Sequence, residues 1–128
     1  MNDRVKNLWV SALRSGEYKK TSGALCRDTS DGELCYCALG VLCSLYQRDK
    51  GHANLEKCEI WLYNDSCHTY KMDGCTGMLP EMVRIWAGLG STDPHVNVDN
   101  QVASISELND GYSMSFNAIA DVIEKSNL

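Results

Sequence analysis

The sequence predicts a single α+β domain over residues 1–128, with four to five helices packed against small antiparallel β-hairpins. Three observations carry that expectation. Apolar residues recur at helical spacing in several windows. Short apolar runs flank polar turns, one closed by Asp-Gly and one centred on Asn-Asp-Ser. One segment opens on proline and closes on glycine, the punctuation of a helix.

Val5, Leu8, Trp9, Ala12 and Leu13 form the i, i+3, i+4, i+7, i+8 stripe of a first amphipathic helix. Asn2 or Asp3 can cap its start and Gly16 can end it in a left-handed conformation. GALCR and GELCYC, separated by DTSDG, read as two short antiparallel strands. CALGVLCSLYQRDKG carries Leu39, Leu42, Cys43 and Tyr46 at helical spacing with a glycine stop, which predicts a largely buried helix. CEIWLYNDSCHTYKM gives a second hairpin around NDS. LPEMVRIWAGLG is a helix with Pro80 in its first turn and Gly88 and Gly90 at its end. HVNVD is a short edge strand and SISELNDG a short helix. The last helix is SFNAIADVIEKS, with Ser115 as cap and Phe116, Ile119, Ala120 and Ile123 as its apolar face.

Charge and composition exclude several classes. No apolar run approaches the roughly 20 residues of a membrane span. MNDRVKNLWV lacks the apolar core of a secretory signal, so a cytoplasmic location is expected. The net charge is −5, with six basic side chains against Asp3 and Glu17 in residues 1–27 and five acidic ones against Lys125 in residues 99–128. That balance argues against duplex DNA, whose binding needs many phosphate contacts, and leaves room for a local basic pocket. LNDGYSMSFNAIADVIE resembles the front of a helix-turn-helix, but the motif needs a recognition helix after it and this tail is acidic, so no DNA partner is expected.

The seven cysteines (Cys26, Cys35, Cys37, Cys43, Cys58, Cys67 and Cys75) are an odd number, and a reducing compartment disfavours a disulfide frame. Cys35-x-Cys37 and the adjacent Cys67-His68 are poor zinc spacing, because neighbouring residues on a strand point to opposite faces. A nucleophilic Cys37 at the start of the second helix would need one of His52, His68 or His95 beside it, and nothing local supplies one. Cys43 shares a stripe with Leu39, Leu42 and Tyr46, so the cysteines read as core. No metal, cofactor or catalytic residue is expected. Trp9 and Trp86 fall on apolar helix faces, whereas Trp61 is the tryptophan most open to solvent in this reading. No Asp or Glu sits in an apolar setting that would suit paired-carboxylate chemistry.

The strongest binding chemistry lies in LRSGEYKKTSGALCR, where Arg14, Tyr18, Lys19, Lys20 and Arg27 surround two Ser-Gly pairs. It is not a P-loop, lacking G-x4-G-K-[ST]. Backbone amides, a guanidinium, ammonium groups and an aromatic ring are nevertheless suited to a phosphate or nucleotide. Asn109 and Tyr112 in the polar turn LNDGY are further candidates, for a base or a sugar.

LWVSALRSGEYKKTSGAL, CYCALGVLCSLY, LPEMVRIWAGL, ASISELNDG and SFNAIADVIE, in that order, resemble a family of small proteins common in phage and prophage genomes. Members of that family tend to carry adjacent cysteines before LGVLC, an arrangement that Tyr36 and Ala38 interrupt here. The resemblance implies a phage origin and the host cytoplasm. By analogy of class it implies counter-defence: a non-enzymatic homo-oligomer that sequesters a small anionic, nucleotide-derived immune signal. An inhibitor of a host enzyme acting by protein contact is the alternative reading, and a zinc or thiol enzyme a more distant one.

Overall fold

A computed structural model describes residues 1–29, 31–51, 55–62 and 65–128, with the side chains of residues 55–62 and 65–67 outside the description. The first helix, α1 (Asp3–Arg14), is capped by the Asn2 side chain, which accepts from the Val5 amide at 3.1 Å. Its buried face is Val5, Trp9, Val10 and Leu13, with Leu8 left 37% exposed. The face is therefore turned slightly from the predicted stripe, with Val10 taking the place of Leu8. Trp9 is fully buried and donates its indole N–H to the Ala38 carbonyl at 2.9 Å.

The two predicted strands are β2 (Cys26–Asp28) and β3 (Leu34–Tyr36), paired antiparallel around a turn whose Gly32 takes φ +81°. A strand that the sequence did not announce, β1 (Lys19–Lys20), pairs parallel with β3. Two residues carry no period of their own, so only the partner defines them. The second hairpin, β4 (Leu55–Leu62) and β5 (Asp65–Met72), starts three residues before its predicted position. It joins the first through β2 and β5, giving one five-stranded sheet in the order β1-β3-β2-β5-β4. The expectations placed on His52 and on the Trp61, Cys58 and Cys67 side chains lie outside the described residues.

Between the hairpins runs α2 (Ala38–Lys50), ended by Gly51 in the left-handed conformation. Ala38 through Cys43 are all buried, six consecutive residues, so this end of the helix is covered on every side. Gly40 explains how it fits. A Cβ there would overlap the Leu25 carbonyl oxygen and fall 2.7 Å from the carbonyl carbon. Leu25 is itself fixed, donating to Thr76 O at 2.6 Å and accepting from Cys37 N at 3.2 Å.

After α3 (Glu81–Ala87), closed by a left-handed Gly88, comes a ribbon of β6 (His95–Val98) and β7 (Gln101–Ser104). HVNVD is thus a short edge strand as expected, and its partner β7 is the part the sequence did not announce. Its turn residues Asp99 and Asn100 both take positive φ, 50° and 66°, as a two-residue primed turn requires. Replacing Asn100 by glycine removes a left-handed side-chain penalty, so a gain of up to about 1 kcal/mol is expected in chemical denaturation. An unchanged or lower midpoint would mean that the Asn100 side chain compensates.

The chain finishes with α4 (Ile105–Asp110) and α5 (Phe116–Lys125), capped by Ser104 and Ser115. Phe116, Ile119, Ala120 and Ile123 are buried as predicted. Among the described residues, five helices and two sheets thus share one core in an α+β arrangement. No helix among the described residues is long and apolar enough to cross a membrane.

Candidate functional site

The basic segment does not converge on one point. Arg14, in the last turn of α1, is turned onto α5, where its guanidinium meets Asp121 at 2.6 Å and Glu124 at 2.9 Å. Those two carboxylates raise its pKa further above an already high value and hold it in a structural bridge. Lys19 pairs with Glu33 on the β3 side, which raises its pKa in turn. Arg27 reaches the Ser22 carbonyl at 3.5 Å. Lys20 donates at 2.8 Å to the Asn109 carbonyl, one of the open carbonyls at the C-terminal end of α4.

Asn109 is fully buried. Its Oδ1 accepts from the Ala38 amide at 3.1 Å, and its Nδ2 donates to Thr21 O at 2.9 Å and to Asp110 Oδ1 at 2.8 Å. Its amide is therefore engaged within the fold, joining the first turn of α2 to the basic loop. Tyr112 stands 55% exposed.

Tyr18 is where binding chemistry gathers. Its ring meets that of Tyr36 edge to face, 5.2 Å between centroids and 84° between planes. Its hydroxyl lies 3.0 Å from Ser44 Oγ, and the Arg48 guanidinium sits 5.8 Å from its ring centroid. Ser44 and Arg48 are four residues apart on α2, one turn on the same face. Lys20 is the register partner of Tyr36 and so shares its side of the sheet. Arg48 is exposed and makes no ion pair among the described residues. Burial pushes the Tyr36 hydroxyl up to about 12, so the ring is neutral over the physiological range.

Sequence reasoning named Tyr18 and Lys20 but not Tyr36, Ser44 or Arg48. Arg48 falls in the last helical turn, where a cation is expected for the helix dipole alone, and nothing local ties it to a tyrosine thirty positions earlier.

Cys37 does stand at the start of α2, as its N-cap, where Sγ accepts from Gly40 N at 3.4 Å. Burial outweighs that helix terminus and pushes the thiol up to about 11. Burial likewise raises Cys26 to about 12 and moves Cys43 upward. Of the five described cysteines only Cys75 is partly exposed. Peptide mapping after brief iodoacetamide treatment at pH 8 should find Cys75 alkylated first among these five. Cys37 reacting as fast would mean a thiolate at the helix end.

A second polar cluster crosses β2 and β5. Asp28 accepts from the His68 amide at 2.9 Å and lies 2.7 Å from His68 Nδ1, with the Tyr70 hydroxyl at 3.5 Å. The carboxylate replaces a ladder bond at the point where the β2–β5 pairing ends. Among the described residues no group of three or more His, Cys, Asp or Glu side chains is placed to hold a metal ion.

A tyrosine pair carrying a guanidinium, mounted on a small five-stranded sheet with helices around it, defines a compact α+β domain with a cationic aromatic surface. The chain belongs to the family described as Domain of unknown function (DUF8296), whose model matches residues 1–127. No curated protein and no solved structure matches it.

Proposed function

We propose that this protein is a non-enzymatic binding protein for a small anionic, nucleotide-like ligand. On the resemblance of its motifs to phage proteins, the biological role would be sequestration of a host immune signal. One observation carries the reading: the Arg48 guanidinium over Tyr18, itself in T-shaped contact with Tyr36, with Lys20 on the Tyr36 side of the sheet. A flat ring presents a stacking surface to any base, and a guanidinium without a carboxylate partner among the described residues matches a phosphate bidentately. The ligand contacts expected from the sequence accordingly narrow to Tyr18 and Lys20, joined by Arg48 and Tyr36. Arg14 and Lys19 would have to give up carboxylate partners to take part.

Calorimetry against cyclic and ADP-ribose-type nucleotides tests the reading. Arg48→Ala and Tyr18→Ala are each expected to weaken binding by about tenfold or more, the loss of one charged contact or one stacked base. Arg14→Ala should leave it unchanged. Absence of binding across the panel, or binding indifferent to Arg48, would refute the proposal.

Inhibition of a host enzyme by protein contact is the second reading, favoured by Ile85, Val102 and Met78, each more than half exposed. A host partner recovered in one-to-one ratio with wild type but not with Ile85→Glu would support it over the first.

A further inference from the structure

We infer that the pocket at the N-terminal end of α2 binds a small primary alkylammonium ion, with Asp93 and Asp110 as its acceptors. The pocket encloses about 180 Å³. Its apolar lining comes from Ala24, Cys37, Leu39 and Met78, and its charged groups are Asp93 and Asp110, with no Lys, Arg or His among the lining residues.

The hydroxyl and amide donors on its wall are already engaged. The Ser106 hydroxyl donates to Asp93, and the Asn109 amide donates to Thr21 O and Asp110. The nearby first-turn amides of α2 are engaged as well, Ala38 N by Asn109 and Gly40 N by Cys37 Sγ. An anion would therefore meet two carboxylates and no side-chain donor stronger than the weak Cys37 S–H.

A cation that donates meets the opposite. Asp93 takes Ser106 N at 3.1 Å on one oxygen and the Ser106 hydroxyl on the other, which leaves lone pairs on both. Asp110 Oδ1 accepts from Asn109, while Oδ2 has no hydrogen-bond partner among the described residues. An ammonium group carries three donors and no acceptor, the complement of that wall. At about 30 Å³ per water-sized group the pocket holds roughly six heavy atoms. That is an amine with a short alkyl body, which the apolar lining would cover. The site shares no lining residue with the tyrosine surface, although Lys20 of that surface donates to the Asn109 carbonyl on the pocket wall; its ligand is of opposite charge, and neither proposal rests on the other.

Heteronuclear NMR titration of the full chain with butylamine, 1-butanol and butyrate tests it. Butylamine should saturate and shift the resonances of Asp110 and Met78, with 1-butanol about tenfold weaker, one charged hydrogen bond, and butyrate silent. Asp110→Asn should weaken butylamine by about the same factor. Met78 is 57% exposed, so Met78→Lys leaves the core intact and supplies a competing ammonium of its own, which should abolish binding. That variant carries the test should Asp110→Asn fail to fold. No saturable butylamine binding, equal affinity for butanol, or indifference to whichever of the two variants folds would overturn the assignment.

Discussion

Gly40→Ala should unfold this protein or come close to it. One added methyl group would occupy the space of the Leu25 carbonyl oxygen, and that carbonyl cannot retreat. Thr76 holds the Leu25 amide from one side and the Cys37 amide holds its oxygen from the other. Helix α2 cannot retreat either, since Leu39, Val41, Leu42 and Cys43 are all buried around the contact. Overpacking against flexible side chains costs about 1–3 kcal/mol, and a clash with fixed backbone lies above that range, about 4 kcal/mol or more. Against a total stability of about 5–15 kcal/mol this is a large share. Helix propensity alone would favour alanine by nearly 1 kcal/mol, so the sign of the result separates the two effects. A melting temperature lowered by more than about 10 °C, or no cooperative transition, is expected in a thermal scan. Wild-type stability in Gly40→Ala would show that α2 and Leu25 are not in contact.

Asn109→Ala is the second large effect, and its cause is polar. The substitution leaves the Ala38 amide and the Thr21 carbonyl without their partner. An unsatisfied buried group costs about 1–3 kcal/mol, so a loss of about 2–4 kcal/mol is expected in urea denaturation. Asn109→Asp makes the comparison sharper. A carboxylate can still accept from Ala38, but it faces the Thr21 oxygen and the Asp110 carboxylate with no hydrogen to offer either. It should be at least as destabilising as alanine. If aspartate proved as stable as asparagine, the two donor bonds would be irrelevant to the fold.

Most of the helices were legible because their information is local. The α5 face of Phe116, Ile119, Ala120 and Ile123 and the Ser115 cap lie within nine residues of one another. The α2 boundaries were equally visible, from its stripe and its terminal glycine. What escaped was structure defined by a distant partner. Strand β1 exists because β3 lies beside it, and β7 because β6 does. Asn109 looked like a turn residue suited to a ligand, since Asn-Asp-Gly is turn composition. Its connections to residues 21 and 38 span 88 and 71 positions, which no window can register. The surroundings of Tyr18 were hidden for the same reason. Sequence counted cations near Tyr18, whereas the fold decides which of them already face a carboxylate. Arg14 is engaged by residues 107 and 110 positions away, while Arg48 enters from another helix.

The meeting of α1 with α5 also bears on how the chain folds as it is made. Arg14 waits for Asp121 and Glu124, and the Lys6 ammonium reaches the Ser126 carbonyl at 2.8 Å. At synthesis rates of about 5–20 residues per second, about 5–20 seconds pass between the emergence of α1 and that of its partner. For that interval α1 has α2 to lie against, through Trp9 and the Ala38 carbonyl, and the end of α3 to hold its start, through the Asn2 amide and the Ala87 carbonyl. The N-terminal stripe is thus a surface that newly made chains share, open to chaperones and to one another until α5 leaves the ribosome.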